Sequence, residues 1–453
     1  MTLSIGPEDL ELFRGLVAER LGLRCDDADL DRLAGVLRQR MHDSRSSHFS
    51  SYALRWSSPA TAPKEIQAVA TLYTTGETSF LRNREQFRAL TEVALAGARE
   101  RTVRILSAGC SSGEEPYSLA ITLLETAELV GLDVRITAFD VNPAAIEKAR
   151  AARYSDWSLR DTPPEIRARY FRGAGRDHLL TDAVKRMVVF EERNLVDEDP
   201  GFWQPERFDV VFCRNVLMYF TPEAVDPIAA RILGSIAPAG YLFLGYAENL
   251  RGVAKDVHLH HTHETFYYQR RSEDEPHVAP PPRPRPRPLD LTSGLDLLER
   301  ERFADARAFV QALPAQSAED PDAQLLLGVV LTNAGRFREA EEVCRHLLEL
   351  DDLSAGAHYL MALTREHEGD RAAAAEHNES AIYLDPTFAM PHLHIGLLAK
   401  QRGDVRTTRR AIGHALTLLH REDAARILLF GGGFAREALL EFCRTELRAC
   451  GDA

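Results

Sequence analysis

The stretch that decides the fold is Val103–Leu119, which reads VRILSAGCSSGEEPYSL. It opens with apolar residues that suit a β-strand, and the small residues Ala108–Gly113 suit a tight turn that a ligand can approach closely. Two acids and a proline follow, Glu114–Pro116, and these residue types are favoured in the first turn of a helix. The stretch therefore predicts a strand, a loop and a helix N-terminus, with a ligand over the carboxyl end of the strand.

The loop does not fit the common phosphate-binding motifs. A dinucleotide fingerprint needs glycine where Ser111 stands, and a Walker A loop needs a Gly-Lys-Ser/Thr ending that is absent. Glu114 and Glu115 would also repel an anion. A neutral or cationic nucleoside fits better, and S-adenosylmethionine, which carries a sulfonium, is the obvious one. The alternative is an ordinary strand-to-helix turn of an α/β domain.

A second strand supports the nucleoside interpretation. Val134–Phe139 alternates in polarity and ends at Asp140, where a ribose-binding acid is expected after one crossover helix. An acid in this place would accept hydrogen bonds from both ribose hydroxyls. The alternative is that Asp140 caps the next helix, although Asn142 already offers such a cap.

At this point the sequence resembles a family, the CheR-type chemoreceptor glutamate methyltransferases. Four segments look like its successive motifs: LSAGCSSGEEPYSLA, AFDVNPAAIEKAR, FDVVFCRNVLMYF and GYLFLGYAENL. The resemblance implies methyl esterification of glutamate side chains with S-adenosylmethionine, which leaves S-adenosylhomocysteine and needs no metal. It also implies that the protein substrate is the cytoplasmic domain of a chemoreceptor.

The resemblance further implies which residues form the site. Arg82 would hold the substrate carboxylate and Tyr219 would line the methyl pocket, so these two are the predicted catalytic residues. The amide of Asn194 would read the adenine edge, and Leu195 would cover the face of the ring. The predicted cofactor-binding residues are Gly76, Thr78, Arg82, Ala108, Glu115, Asp140, Asn194, Leu195, Arg214, Asn215 and Val216.

The first seventy residues or so have the apolar spacing of helices. A helix predicted from about Asp29 to His42 carries basic residues on its outer side, which are Arg32, Arg38 and Arg40. In the family the corresponding basic helix faces the acidic flank of a receptor's helical bundle, so these arginines are predicted to recognise the substrate. A solvated face is the alternative.

Residues 166–173 and 187–190 are predicted to frame a short hairpin-like insert. In family members that dock a tethering peptide from the receptor C-terminus, the peptide adds as a strand to this small subdomain. The loop between Gly173 and Lys185 is a few residues shorter here, which argues against peptide tethering.

Composition limits the partners and the compartment. A formal net charge of −13 makes bulk attraction to nucleic acid unfavourable. No apolar run reaches the length of a membrane span and the N-terminus carries acids, so we expect a cytoplasmic protein, recruited to receptor arrays without membrane insertion.

The six cysteines form no C-x-x-C pair, and Cys110 and Cys213 suit packing at strand ends better than catalysis. The alternating histidines His258–His263 read as a loop beside a strand, with a metal site as the alternative.

The last third of the chain contains a repeat. Ser272–Pro288 is charged and proline-dense, which predicts a semi-rigid polyproline linker. Beyond it, Gly335, Gly369 and Gly403 stand in one register, 34 residues apart. This pattern resembles tetratricopeptide repeats, whose helix pairs need small residues where they cross. Such arrays bind protein segments, so an unidentified protein partner is predicted.

The predicted fold is multidomain: a small all-α domain, a doubly wound, Rossmann-like α/β methyltransferase domain with a small β insert, and an all-α tetratricopeptide repeat domain. The predicted boundaries are 1–72 for the helical domain, 73–85 for a linker over the cofactor, 86–271 for the methyltransferase domain, 272–290 for the proline-rich linker, 291–420 for the repeats and 421–453 for a helical cap.

Two functions compete for this architecture. One is a protein-glutamate methyltransferase acting on chemoreceptors in adaptation signalling. The other is a repeat-based binding scaffold whose methyltransferase-like domain has little or no activity. The first is favoured because a dead site has no reason to keep so many matched polar positions.

Overall fold

The computed structural model describes residues 5–74, 76–96, 102–126, 132–253, 256–272, 291–300, 302–314 and 320–450. The chain divides into two compact units, one formed by Met1–Glu248 with Asp256–Glu273 and the other by Asn249–Lys255 with Asp274–Ala453. The predicted proline-rich linker lies, apart from its first residue, outside the described residues. The predicted domain boundaries stay predictions.

The first unit begins with four helices. Helix α1 starts at a proline with two acids in its first turn and ends before Gly22, whose φ of 68° is left-handed. Its buried Phe13 packs edge-on against Trp56, with ring centroids 5.8 Å apart. The helices are α1 (Pro7–Leu21), α2 (Leu30–Asp43), α3 (Phe49–Ser57) and α4 (Ala62–Tyr73).

A seven-stranded sheet forms the centre of the first unit. The strands are β1 (Val103–Ala108), β2 (Val134–Asp140), β6 (Val188–Glu192), β7 (Phe208–Cys213), β8 (Ile236–Leu244), β9 (Val257–Thr262) and β10 (Thr265–Arg270). Their order is β6-β2-β1-β7-β8-β10-β9. The first five strands of this order, from β6 through β2, β1 and β7 to β8, pair in parallel. Strand β10 is antiparallel to both of its neighbours, β8 and β9. The doubly wound α/β prediction is confirmed.

The chain order reverses between β1 and β7, which are neighbours in the sheet. Open α/β sheets bind their ligands at such a switch point, outside the carboxyl ends of the strands. The helices around this sheet are α5 (Arg84–Ala89), α6 (Glu114–Glu125), α7 (Pro143–Ala151), α8 (Pro164–Tyr170), α9 (Asp182–Lys185) and α10 (Pro222–Ser235).

One local prediction was wrong, and another is confirmed with different bounds. The histidine-rich stretch forms edge strand β9, because its rings pack on the aromatic residues of β10; His261, for example, stacks on Phe266 with centroids 4.1 Å apart. The predicted hairpin-like insert is present: β4 (Phe171–Ala174) and β5 (Asp177–Leu180) pair antiparallel, and β3 (Arg153–Tyr154) completes a separate sheet in the order β3-β5-β4. Residues 188–190 belong instead to β6 of the main sheet, and residues 166–170 lie in helix α8.

The second unit is helical. Gly335, Gly369 and Gly403 have φ values of 70°, 87° and 77°, so each ends one helix in a left-handed turn before the next begins. Gly396 has no room for a side chain, because a Cβ would lie 2.5 Å from Ile412. The helices are α11 (Thr292–Glu299), α12 (Phe303–Gln311), α13 (Pro321–Asn333), α14 (Phe337–Leu350), α15 (Ala355–His367), α16 (Arg371–Leu384), α17 (Ala389–Gln401), α18 (Val405–Leu419), α19 (Ala424–Phe430) and α20 (Arg436–Ala449).

Among the described helices, none combines the length and apolar character that a membrane crossing requires.

Candidate cofactor and substrate site

A cavity of about 400 Å³ lies at the carboxyl ends of the central strands of the first unit. It is lined by the loops that follow β1, β2, β6 and β7 and by the segment after α4. Ala108 does not line it, but this buried residue ends β1 directly before Gly109, which does. The predicted catalytic and cofactor-binding residues that the cavity brings together are Gly76, Thr78, Arg82, Glu115, Asp140, Asn194, Leu195, Arg214, Asn215, Val216 and Tyr219.

The loop after β1 is shaped by backbone that only small residues adopt easily. Gly109 has a φ of 72°, and a Cβ there would lie 2.6 Å from Cγ2 of Val216. Ser111 is also left-handed, at φ 49°, a conformation that costs an L-residue about 1–2 kcal/mol. The loop can therefore pass close to Val216 and leave space over the end of the strand.

Asp140 holds this loop in place. Its Oδ2 accepts a hydrogen bond from the backbone N–H of Ser111 at 2.8 Å, and its Oδ1 accepts one from the N–H of Asn142 at 2.9 Å. Burial raises the pKa of the carboxyl, and these two bonds oppose the rise. Asn142 caps α7 by accepting from the N–H groups of Ala144 and Ala145, so Asp140 is not needed as the helix cap.

Glu115 and Arg214 form a largely buried ion pair on the cavity wall. Arg214 Nη1 lies 3.3 Å from Glu115 Oε2, and Ser107 Oγ donates to Oε1 at 2.8 Å. Burial raises the pKa of Glu115 and lowers that of Arg214, while their mutual attraction acts against both shifts. Arg214 also donates to the carbonyl oxygen of Arg82 at 2.7 Å and to Asn83 Oδ1 at 2.6 Å. It therefore fixes the segment after α4 to the end of β7.

Asn194 lies in the cavity wall with its amide already engaged. Its Nδ2 donates to the carbonyl oxygen of Arg20 at 2.9 Å, and its Oδ1 accepts from the N–H of Val196 at 3.2 Å. Leu195 beside it is buried. The amide thus joins α1 to the loop after β6, and its predicted contact with an adenine edge stays a prediction.

The mouth of the cavity carries the two predicted catalytic residues. Arg82 is half-buried, and its Nη1 reaches the carbonyl oxygen of Glu77 at 3.5 Å, which is a long and weak hydrogen bond. Arg160 braces the same segment through Glu77 Oε1 at 2.9 Å. Tyr219 is 47% exposed, and its carbonyl oxygen accepts from the N–H of Arg24 at 2.8 Å. The loop between α1 and α2 therefore helps to fix the position of Tyr219.

The three arginines predicted for substrate recognition do not share one environment. Arg40 bonds to the buried Glu65, with Nη2 to Oε2 at 3.0 Å. Arg32 lines the cavity and lies over the ring of Tyr73, 4.9 Å from its centroid. Arg38 is exposed on α2. Arg32 and Arg38 are both exposed, whereas Arg40 is partly buried, and the role of all three in receptor binding stays a prediction.

Sequence reasoning missed Arg193, which also lines the cavity. Its guanidinium stacks on the ring of Phe202, 4.1 Å from the centroid, and bonds to Glu191 at 2.6 Å and to Asp199 at 2.5 Å. Both acidic partners lie within six residues of Arg193 along the chain, so the alternating charges in this stretch could have pointed to its ion pairs. The sequence around Arg32 does not show that this side chain lines the cavity, because that position depends on how α2 packs.

The thiols and histidines add no further chemistry to this site. All six cysteines are buried, and burial raises the pKa of Cys110 and Cys213, which disfavours a nucleophilic thiolate. Within the described ranges, no group of three or more His, Cys, Asp or Glu side chains is arranged to hold a metal ion.

Comparison with known proteins identifies the family. Residues 76–266 match the profile of the CheR methyltransferase, SAM binding domain, and residues 297–364 match that of the tetratricopeptide repeat. The probable biofilm formation methyltransferase WspC of Pseudomonas putida is 30% identical over 416 residues, which cover 88% of this chain and 96% of the relative. This chain belongs to the CheR methyltransferase family. It is a methyltransferase of the chemotaxis type, and the matched domain indicates use of S-adenosylmethionine.

Other relatives of this CheR-family methyltransferase match a smaller part of the chain. The chemotaxis protein methyltransferase of Vibrio parahaemolyticus is 40% identical over 187 residues, 40% of this chain and 67% of the relative. Chemotaxis protein methyltransferase 1 of Pseudomonas aeruginosa is 33% identical over 263 residues, 55% of this chain and 93% of the relative. Both the predicted family and the predicted repeats are confirmed.

Proposed function

We propose that this CheR-family methyltransferase esterifies glutamate side chains in the cytoplasmic domain of a chemoreceptor-type signalling protein. The products would be the glutamate 5-O-methyl ester and S-adenosylhomocysteine. The observation that carries the proposal is the cavity itself, which is lined by Arg82 and the exposed Tyr219 together with the partly buried acids Glu115 and Asp140. The names of the relatives, which include chemotaxis protein methyltransferases, support the same reaction.

The residues of the cavity fit S-adenosylmethionine. Asp140 and Glu115 offer carboxylate oxygens to hydroxyl and ammonium groups. Among the described residues, the buried Nε of Arg214 has no hydrogen-bond partner, so this donor is open to an acceptor on a ligand. Gly109 lines the cavity without a side chain that would occupy it. When bound, the cofactor supplies an electrophilic methyl group on a cationic sulfonium.

The chain's own residues need to do little chemistry beyond alignment. A glutamate carboxylate, with an ordinary pKa near 4.3, is ionised at neutral pH and needs no general base. Alignment of the reacting atoms can contribute up to about 7–11 kcal/mol to the rate. Arg82 would orient the substrate carboxylate, because its weak bond to Glu77 is easily replaced by a charged acceptor. Tyr219 would form the side of the methyl pocket.

The choice of receptor is a finer part of the proposal. The relative that matches 88% of this chain is named for biofilm formation, whereas the relatives that match 40% and 55% of it are named for chemotaxis. We therefore propose a receptor of a biofilm-control pathway as the first substrate to test and a chemotaxis receptor as the second. The repeats would bind a protein partner and recruit the enzyme to receptor arrays in the cytoplasm.

The decisive experiment is transfer of tritiated methyl from S-adenosylmethionine to purified receptor cytoplasmic domains of both kinds. Glutamate methylation releases methanol when the product is treated with base, so base-labile label is the expected result. Receptor variants with glutamines in place of the candidate glutamates serve as controls and should take up no label. If the enzyme binds S-adenosylhomocysteine but labels no receptor of either kind, the scaffold alternative gains support and the proposed reaction fails.

A further inference from the structure

A buried carboxylate that no sequence prediction assigned holds the loop after β7. Glu248 is 5% exposed and follows β8 by a few residues. Its Oε2 accepts hydrogen bonds from the backbone N–H groups of Asn215 at 2.6 Å and Gly245 at 2.7 Å. Its Oε1 accepts from those of Val216 at 2.7 Å and Met218 at 3.2 Å. One side chain thus binds four backbone donors.

The loop needs these acceptors because it leaves the regular sheet. Cys213 is the last residue of β7, so the N–H groups of the next residues have no strand partner, and buried N–H groups without acceptors are costly. Asn215 is also left-handed, with a φ of 57°, a conformation that glycine adopts readily and that asparagine and aspartate adopt less often. Hydrogen bonds to a charged acceptor are stronger than those between neutral groups. The backbone N–H groups of Asn215 and Val216 each donate one such bond to Glu248.

The contact is closely fitted. A Cβ on Gly245 would lie 2.7 Å from Oε2 of Glu248 and 2.8 Å from the backbone nitrogen of Asn215. The carboxylate and the loop backbone therefore meet in a space that only a glycine at position 245 leaves open.

We propose that Glu248 is a positioning residue for methyl transfer. Its carboxylate holds residues 215–219 so that Asn215 and Val216 face the cofactor cavity and Tyr219 stands at the mouth. The inference rests on the proposed function for its catalytic consequence, but the hold on the loop can be measured without any receptor.

The sharpest change is Glu248→Gln, which keeps the shape of the side chain. Glutamine replaces one of the two acceptor oxygens by an NH2 group, so one of the two pairs of backbone N–H groups would face a donor. We expect amide hydrogen exchange to become at least about tenfold faster in that pair, which is either Asn215 with Gly245 or Val216 with Met218, because its protons lose a buried acceptor. Binding of S-adenosylhomocysteine should weaken by about tenfold, and kcat should fall while the KM for the receptor stays within about twofold.

Two further variants separate positioning from general stability. Glu65→Gln makes the same chemical change at a buried carboxylate of the helical domain, where the partners are Arg40 and Arg55. It should lower the Tm without changing exchange at residues 215–218 or affinity for S-adenosylhomocysteine. Gly245→Ala keeps the carboxylate but pushes on it and should reproduce the Glu248→Gln effects, which keeps the test open if Glu248→Gln does not fold.

The outcomes distinguish the two levels of the inference. The positioning role would be overturned if Glu248→Gln, or Gly245→Ala in its place, kept wild-type amide exchange in the loop and wild-type affinity for S-adenosylhomocysteine. It would also be overturned if Glu65→Gln changed this exchange and this affinity by as much as Glu248→Gln does. If the wild-type enzyme methylates no receptor, the proposed function fails, yet the exchange and binding measurements still decide whether Glu248 holds the loop.

Discussion

Replacing Asp140 with alanine tests the assignment of the cofactor's sugar to the end of β2. The carboxylate already accepts hydrogen bonds from Ser111 and Asn142, at 2.8 and 2.9 Å, and each of its oxygens has a further lone pair for a ribose hydroxyl. A hydrogen bond to a charged group contributes about 1.5–3 kcal/mol, and burial, which raises the pKa of this carboxyl, offsets part of it. We expect binding to weaken by about 1–3 kcal/mol, which is roughly 5- to 150-fold in Kd.

Isothermal calorimetry with S-adenosylhomocysteine measures this change directly. The matched control is Asp209→Ala, which removes another buried carboxylate at the opposite, amino end of the sheet. Asp209 accepts from the backbone N–H of Arg104 at 2.8 Å, so its loss should reduce the free energy of unfolding and leave Kd unchanged. A folded Asp140→Ala enzyme with wild-type affinity would refute the ribose assignment, and an equal loss of affinity in both variants would show that the effect is not local.

Three other predictions concern the mouth, the loop after β1 and the repeats. Arg82→Lys should keep affinity for S-adenosylhomocysteine but lose most methyl transfer, because an ammonium lacks the planar fork that fixes a carboxylate; a near wild-type rate in the tritium assay would exclude this role. Gly109→Ala should reduce the free energy of unfolding by about 2 kcal/mol or more in denaturant titration, since the φ of 72° is unfavourable and the new methyl meets Val216; unchanged stability would contradict the reasoning. Burial lowers the pKa of His377 and His392 to about 4, so the unfolded chain binds more protons between pH 6.5 and 4. Stability should therefore fall as the pH drops from 7 to 5, by on the order of 2 kcal/mol per histidine, and unfolding curves that coincide at the two pH values would disprove it.

Much of the fold could be predicted because it depends on patterns local in sequence. The strand, turn and helix of Val103–Leu119 carry their own signals, namely an apolar run, glycines and helix-start residues. The glycines of the repeats recur at one spacing because each occupies a left-handed helix end. The wrong prediction for β9 has the opposite origin, since its histidines are held by rings on β10, which a reading of polarity alone does not reveal.

The basic side of α2 shows the same limit. Sequence spacing puts Arg32, Arg38 and Arg40 on outward positions of a helix, and that helix is present. The ion pair between Arg40 and the buried Glu65 depends on how α2 packs against α4, twenty-five residues away along the chain. The contact of Arg32 with Tyr73 has the same cause. Periodicity predicts which side of a helix is polar, but not which polar groups tertiary packing will engage.

The two loops that shape the cavity are built in the same way. Comparing them distinguishes two roles of a carboxylate, which are holding a loop and contacting the ligand. Ser111 after β1 and Asn215 after β7 are both left-handed residues whose N–H groups bond to a carboxylate that lies at the end of the neighbouring strand or just after it. For Ser111 the acid is Asp140, which also lines the cavity, whereas for Asn215 it is Glu248, which does not. An Asp140 variant loses loop geometry and ligand contact together. A Glu248 variant loses loop geometry alone, so the difference between their effects on cofactor affinity measures the direct contact of Asp140 with the ligand.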